Sequence, residues 1–437
     1  MMKRRMKDSG IEWIGNIPAE WSVCHFRNIL SIFNGNSIKD EEKINYEDPV
    51  DAVPYIATKD IDVTFQSIAY DNGMYVKNTD DEFKRAPENS ILLCIEGGSA
   101  GRKIAFTDRE VCFINKLCCF TSKTAYNRFV YYYMLSPAFT EEFKSHISGL
   151  IGGVSISEIK DFTIAFPTYE EQKKIAEFLD SKCSEIDAVI AKTKSTIEEY
   201  RKLKQVVITD AVTQGIRGIR ELKTTPVETI GSIPSEWNFV RKLSYRCSSG
   251  ISYGIVKLLE PDDENGVKVL RCSDVYPGGI SLDNVRTVTQ EVSNEYKRTL
   301  LNGGEIVIAV RGSLGGCAVV PPELAGYNVA REIAVIPLMD TICSRYVLYY
   351  LLSDKFIDYR DSHLLGSVYV GLNIELLSAC PIIEPPLEEQ EEIADYLDKK
   401  CTEIDTLIAK KTTLLEEMEN YKKSVIYEYV TGKKEVM

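Results

Sequence analysis

The sequence has no CxxC pair, only three histidines, no GxxxxGK[ST] phosphate loop and no apolar run approaching the length of a membrane span. Each absence excludes something. Without paired cysteines or histidine ligand spacing there is no zinc site to read. The twelve cysteines are scattered, and Cys183 and Cys401 fall on apolar helix positions, so buried free thiols are expected rather than a disulfide framework. The N-terminal MMKRR is basic but no apolar h-region follows, so a cytoplasmic product without a secretory signal is expected. The short PP sequences VVPPEL (319–324) and IEPPLE (383–388) lack the Asn/Asp-Pro-Pro-aromatic context of amino-methylating DNA enzymes. GLIGGV (149–154) is a loose glycine run that its counterpart GSVYVG (366–371) does not preserve. His25, His146 and His363 have no repeating Ser, Cys or carboxylate pattern; the last two match in HISG and HLLG and are expected to serve a helix end. No catalytic residue and no metal ligand is assigned.

Positive charge is also scarce. The net charge is −13, and no segment is a basic domain. Residues 1–169 carry 19 basic against 23 acidic residues, 170–222 ten of each, 223–387 carry 15 against 19, and 388–437 eight against thirteen. Indiscriminate nucleic-acid binding is disfavoured, and any DNA contact needs a local patch and a more basic partner.

What is present is present twice. EEQKKIAEFLDSKCSEIDAVIAK (170–192) recurs as EEQEEIADYLDKKCTEIDTLIAK (388–410), with 15 of 23 positions identical, and IGNIPAEW (14–21) recurs as IGSIPSEW (230–237). GSAG (98–101) echoes GSLG (312–315), and RFVYYYMLSPAF (128–139) echoes RYVLYYLLSDKF (345–356). A repeat of this length reads as domain duplication. The helical ends stayed alike while the middles diverged, so one scaffold carries two differently shaped surfaces.

The repeated ends read as long helices of about 43 residues, hence about 65 Å each. Leu179, Ile186, Ile190 and Ile197 in the first, and Leu397, Ile404, Ile408 and Leu415 in the second, lie on a seam of alternating four- and three-residue steps. Polar residues interrupt it at matching places, Thr193 with Lys411 and Lys204 with Lys422. A single apolar seam needs a partner, and the expected partner is the other helix, antiparallel about a pseudo-twofold axis, with globular parts at opposite ends of a rod. The expected fold class is α+β: two mixed α/β modules, 1–169 and 219–387, and two long helices, 170–218 and 388–437. In each module a β-rich run, SILLCIEG (90–97) or EIVIAVRG (305–312), leads into a glycine turn, and FVYYYMLSPAFTEEFKS (129–145) or YVLYYLLSDKFIDYRDS (346–362) reads as an amphipathic helix.

Polar and basic residues on loops after strands are the candidates for contacting DNA: Lys59, Lys84, Arg85, Ser99, Arg102, Lys103 and Lys116 in the first module, and Tyr253, Lys257, Arg271, Ser273, Lys297, Arg298, Arg311, Ser313 and Arg331 in the second. Arg and Lys reach guanine edges in the major groove, and Ser holds phosphates. Any one of them is equally explained as a solvated surface charge. Lys84-Arg85 matches Lys297-Arg298, and Ser99 matches Ser313, between the copies.

SGIEWIGNIPAEW (9–21) with its second copy TPVETIGSIPSEW (225–237), the two PxxxEEQ-led helices ending near ITDAVTQG (208–215) and IYEYVTGK (426–433), and GISYGIVK (250–257) together resemble the specificity (S) subunit of Type I restriction–modification enzymes. The similarity spans the whole chain. The second copy departs at Pro226 and Thr229, where the first has Gly10 and Trp13. The resemblance implies a non-catalytic subunit with two target recognition domains, each reading one half of a split, asymmetric double-stranded DNA site. It implies spacer helices that dock two methylation subunits, with restriction subunits joining the assembly. S-adenosylmethionine, ATP and Mg are expected on those partners and no cofactor on this chain, and no membrane is involved. A coiled-coil scaffold binding proteins rather than DNA is the alternative, and an autonomous DNA-modifying enzyme is a third class that the missing motifs disfavour.

Overall fold

A computed structural model describes residues 4–147, 152–256, 266–312, 314–364 and 371–436; Lys257 and Ser313 lie outside the described residues, as do parts of the glycine runs at 149–154 and 366–371. The chain divides into two compact units, residues 1–194 with 412–437, and residues 195–411. Each unit takes half of each long helix into its own body, where the sequence pattern alone sets the helices apart from the modules.

In the first unit the strand Ile91–Cys94 is buried along its whole length. Ile91, Leu93 and Ile95 enter one core, with the helices, while Leu92 and Cys94 enter another, against a second sheet. Burial on both faces is why the run is apolar throughout instead of alternating. The strand sits in an antiparallel sheet ordered Leu30–Asn34, Leu117–Ser122, Ile91–Cys94, Ile104–Phe106. The second sheet pairs Ala52–Ile56 in parallel with Val111–Phe113. The second unit repeats this plan. Ser252–Tyr253, Ile333–Ile336, Ile306–Ala309 and Cys317–Val319 form its antiparallel sheet, and Val267–Leu270 runs parallel to Asn328–Val329 in the other. Ile306 and Ile308 again face the helices while Val307 faces the second sheet.

The expected amphipathic helix of each module is broken in two: Asn127–Met134 and Pro137–Ser145 in the first, Ser344–Leu352 and Asp354–Leu364 in the second. Pro137 takes the first turn of the second helix, where its missing N–H is harmless, and Ser136 is extended before it. His146 Nδ1 lies 2.9 Å from Glu142 O and His363 Nδ1 2.7 Å from Tyr359 O, so each imidazole serves a carbonyl one turn back at a helix end.

The long helices run Tyr169–Gln214 and Leu387–Val430. They stop short of 218 and 437. Gly215 and Gly432 take left-handed backbone (φ 77° and 70°), and a Cβ there would lie 2.9 Å from the Trp237 ring and 3.0 Å from the Trp21 ring. In the first unit Phe178 packs on Tyr429, Asp187 pairs with Lys422 at 2.7 Å, and Lys194 approaches Glu419. In the second, Lys204 pairs with Asp405 at 2.7 Å and Arg217 with Glu392 at 2.6 Å. Rising numbers on one helix meet falling numbers on the other, so the halves are antiparallel within each unit. Lys204 and Lys422, which interrupt the seam at matching places, thus each find an aspartate at the matching position of the partner helix. Leu179, Ile186, Ile190, Ile197, Leu397 and Ile404 are buried; Ile408 and Leu415 are half-buried.

The EEQ starts have a double use. Glu170, Glu171, Glu388 and Glu389 occupy first helical turns, where the helix dipole favours carboxylates. Glu171 also accepts from Trp21 Nε1 (2.9 Å) and Arg4 (2.7 Å), and Glu389 from Trp237 Nε1 (3.1 Å) and Arg220 (2.5 Å). Buried Gln172 and Gln390 accept from the amides of Tyr126 (2.8 Å) and Cys343 (2.9 Å) and donate to Pro167 O and Pro385 O. Further along the same helices, Asp180 accepts from Arg128 and Tyr132, and Asp398 from Arg345 and Tyr349. The same polar knot therefore clamps each module to the helix that follows it.

Candidate nucleic-acid interface

In both units the central strand ends at one corner of the sheet, and several candidate residues gather there. In the first unit the backbone bond from Cys94 N to Lys103 O brings the GSAG turn beside the strand end, and Ile95 N to Lys116 O brings in Lys116. Lys103 Nζ donates to Thr58 O at 2.6 Å, tying the turn Thr58–Asp60 to the same place. Lys59, Arg102 and Lys116 are exposed there, and Ser99 is half-buried in the turn. Burial pushes the Cys94 thiol pKa up, and the ammonium groups of Lys103 and Lys116 act on it in the opposite sense.

The second unit builds the corner from different side chains. Val310 N donates to Glu332 O and Arg331 N to Ile255 O, which sets Arg331 beside Arg311 and the segment 252–256. Arg311, Arg331 and Ser273 line the outside of this corner, the two arginines exposed. Arg331 approaches Glu332 at 3.5 Å, while Arg311 has no side-chain hydrogen bond or ion pair among the described residues.

A motif with no weight in the sequence pattern builds the adjoining turn twice. Asp60 accepts from Ala57 N and Asp274 from Arg271 N, each at 2.8 Å and three residues back. The signal was an aspartate four residues beyond the end of each parallel strand, at Asp60 after Ile56 and Asp274 after Leu270. These carboxylates fix loops that carry Lys59 and Ser273 at their tips.

Other candidates lie elsewhere or do other work. Lys84 reaches Asn34 Oδ1 (3.1 Å), and Arg85 spans Glu110 (3.0 Å) and the carbonyls of Lys77 (3.0 Å) and Asn78 (3.3 Å), so this pair braces the second sheet. Lys297 and Arg298, matched to them in sequence, sit in the short turn Lys297–Thr299 at the surface. Arg271 is held by Asp274 and donates to Asn284 O at 2.7 Å. Tyr253 Oη accepts from Ile374 N at 2.8 Å. Among the described residues no group of three or more His, Cys, Asp or Glu could hold a metal ion, and no helix is long and apolar enough to cross a membrane.

Two copies of one scaffold with differently furnished corners match a known family. The profile of the Type I restriction modification DNA specificity domain fits residues 18–199 and 254–417. The chain belongs to this family of DNA sequence-recognition proteins. It is 22% identical to the Type I restriction enzyme EcoBI specificity subunit of Escherichia coli, over 98% of this chain and 89% of that protein. It is 26% identical to the MjaVIII specificity subunit of Methanocaldococcus jannaschii, over 95% of this chain and 93% of that protein. A chain solved in work on complex assembly and conformational transition of the type I R-M system aligns at a TM-score of 0.71 and 15% identity, covering 96% of this chain and 99% of that one. That last likeness concerns the fold. The specificity family therefore combines here with two compact units whose scaffold is shared and whose corner chemistry is not.

Proposed function

We propose that this specificity protein reads a bipartite, asymmetric DNA site, one half through each module (1–169 and 219–387), without catalysing a reaction itself. The observation that carries the reading is the doubled corner. Lys59, Ser99, Arg102, Lys103 and Lys116 furnish it in one unit and Ser273, Arg311 and Arg331 in the other, on one shared backbone plan. Guanidinium and ammonium groups on rigid turns suit base edges and phosphates, and changing them leaves the scaffold intact. Lys84, Arg85, Tyr253 and Arg271 act in this reading as supports for that surface.

The long helices serve as spacer and as the seat for two methylation subunits, with restriction subunits joining. Each unit carries exposed apolar side chains at matched positions of its helix halves: Val189 and Tyr421 in the first, Leu407 and Leu203 in the second. Repetition of these groups supports two equivalent partners. S-adenosylmethionine, ATP and Mg belong to those partners, which also supply positive charge that a chain of net charge −13 lacks. The assembly is cytoplasmic, with the DNA it marks.

The test is binding of the assembled methylation complex to its own site across a salt series. Arg311→Ala should weaken specific binding by about 1–3 kcal/mol if it reads a base, or lower the salt slope by about one if it holds a phosphate. Binding unchanged by Arg311→Ala and Arg102→Ala, alone and together, would favour the protein-scaffold alternative.

A further inference from the structure

The entry turn is built alike in both copies, yet one position differs in kind. Ile14 N bonds to Ile11 O and Ile230 N to Val227 O, so Trp13 and Thr229 take corresponding places. In the first unit the Trp13 indole fills the space below the turn. Its Nε1 is fully buried, it packs on the main core, and it acts on the Glu142 carboxylate. Thr163 donates to Glu142 from its amide and hydroxyl, both at 3.0 Å, and the region is closed, with Glu142 3% exposed.

In the second unit Thr229 leaves that space open. A pocket of about 620 Å³ lies there, and Tyr359, His363 and Pro381 line it at the places held by Glu142, His146 and Thr163 in the first unit. Phe239 adds a further aromatic wall, and the Tyr359 and His363 rings lie 4.6 Å apart. Tyr359 Oη donates to Leu376 O at 3.0 Å, which leaves its lone pairs free to accept from a ligand N–H. Glu228 and Arg241 flank the pocket with opposite charges, so it favours a neutral occupant.

We propose that this pocket binds an indole or closely similar planar aromatic ring carrying an N–H, supplied in the second unit by a ligand where the first unit supplies its own Trp13. The chemistry is defined by the filled copy: the same turn, the same helix end and the same strand edge already enclose an indole once in this molecule. The volume is ample, since an apolar cavity of about 150 Å³ suffices for benzene. Free indole and a tryptophan side chain of a partner protein share this chemistry and are distinguished by the arms of the test.

The experiment is calorimetric and ligand-observed NMR titration of the full chain with indole, with N-acetyltryptophanamide as the peptide-borne form and N-acetylalaninamide as control. One saturable site per chain is expected, weakened at least tenfold in Thr229→Trp, which fills the pocket from within. Thr229→Phe is the smaller filling variant should the first fail to fold, with the same loss expected. Conversely, Trp13→Thr should open a second site in the first unit. A preference for indole assigns the site to a free small molecule, and a preference for N-acetyltryptophanamide to a partner's side chain. No saturable binding of either probe at millimolar concentration, or equal binding by both filling variants, overturns the proposal.

Discussion

Replacing Glu142 by Gln isolates a carboxylate that, among the described residues, the first unit buries at a cost. Glu142 Oε1 accepts two hydrogen bonds from Thr163, but Oε2 is buried with no partner among the described residues. Burial is the dominant influence and lifts its pKa from 4.5 to about 7, against the opposing pull of the Thr163 donors, His146 and Trp13. The folded state thus disfavours the carboxylate by about 3 kcal/mol relative to the unfolded chain. Because the folded pKa is the higher one, the stabilising contribution is complete below the ordinary value of 4.5 and is lost as pH rises through about 7. Between about pH 5.5 and about pH 8 the first unit should lose about 2 kcal/mol from this group alone. Glu142→Gln keeps an acceptor for Thr163 and cannot ionise, so its stability should be flatter by that amount. The assay is urea unfolding at both pH values, followed by hydrogen exchange in the helix Pro137–Ser145 with correction for intrinsic rates. The second unit has Tyr359 at the corresponding place and provides an internal control. Parallel pH profiles for wild type and variant would refute the reasoning.

The seam lysines should differ in weight. Lys422 is only 12% exposed beside Asp187, so Lys422→Ala should cost about 1–3 kcal/mol in the first unit, whereas Lys204→Ala, facing the 55% exposed Asp405, should cost at most about 1 kcal/mol in the second. Denaturation monitored separately in the two units checks the ranking. Ile186→Glu or Ile404→Glu places an unpaired charge in a buried seam and should impair assembly with methylation subunits before either module unfolds, as read by co-purification and hydrogen exchange. The isolated chain should bind its site poorly at physiological salt and gain affinity on adding the methylation subunit, which fluorescence anisotropy would measure. Lys433 Nζ donates to Ile14 O at 2.7 Å, so the C-terminal segment packs on the entry turn of the first unit. A permutant joining Met437 to Met1 and opened beside the fully exposed Ile219 should fold and retain its recognition sequence.

The long helices were legible because Leu and Ile recurring at four- and three-residue steps match the helical period and no strand period, and because the copies agree at each step. Their stops at Gly215 and Gly432 were readable as glycine punctuation, but not that a side chain there would run into the rings of Trp237 and Trp21. The strand ends at 91–94 and 306–309 and their glycine turns were also readable, since a short apolar run bounded by glycine is a buried strand. Individual loop residues were not. Lys84-Arg85 and Lys297-Arg298 agree in sequence, yet Arg85 is consumed by the carbonyls of Lys77 and Asn78 while Lys297 and Arg298 stay at the surface in a turn. Tyr253 resembles a contact residue and instead serves the amide of Ile374, 121 residues away. Whether a polar side chain faces solvent or a backbone carbonyl depends on such distant partners, and periodicity carries no information about them. The aspartates at 60 and 274 show the converse: a turn whose signal was present twice but is visible only once the strand ends are known.

Independence of the two readers is the central claim, and exchanging residues 238–385 for the corresponding module of another family member tests it most directly. The measurement is single-molecule sequencing of modified adenines in a host genome carrying the hybrid with its methylation subunit. One half of the modified sequence should change while the other half stays as in the parent. A change in both halves, or an unchanged sequence with full modification, would contradict the account.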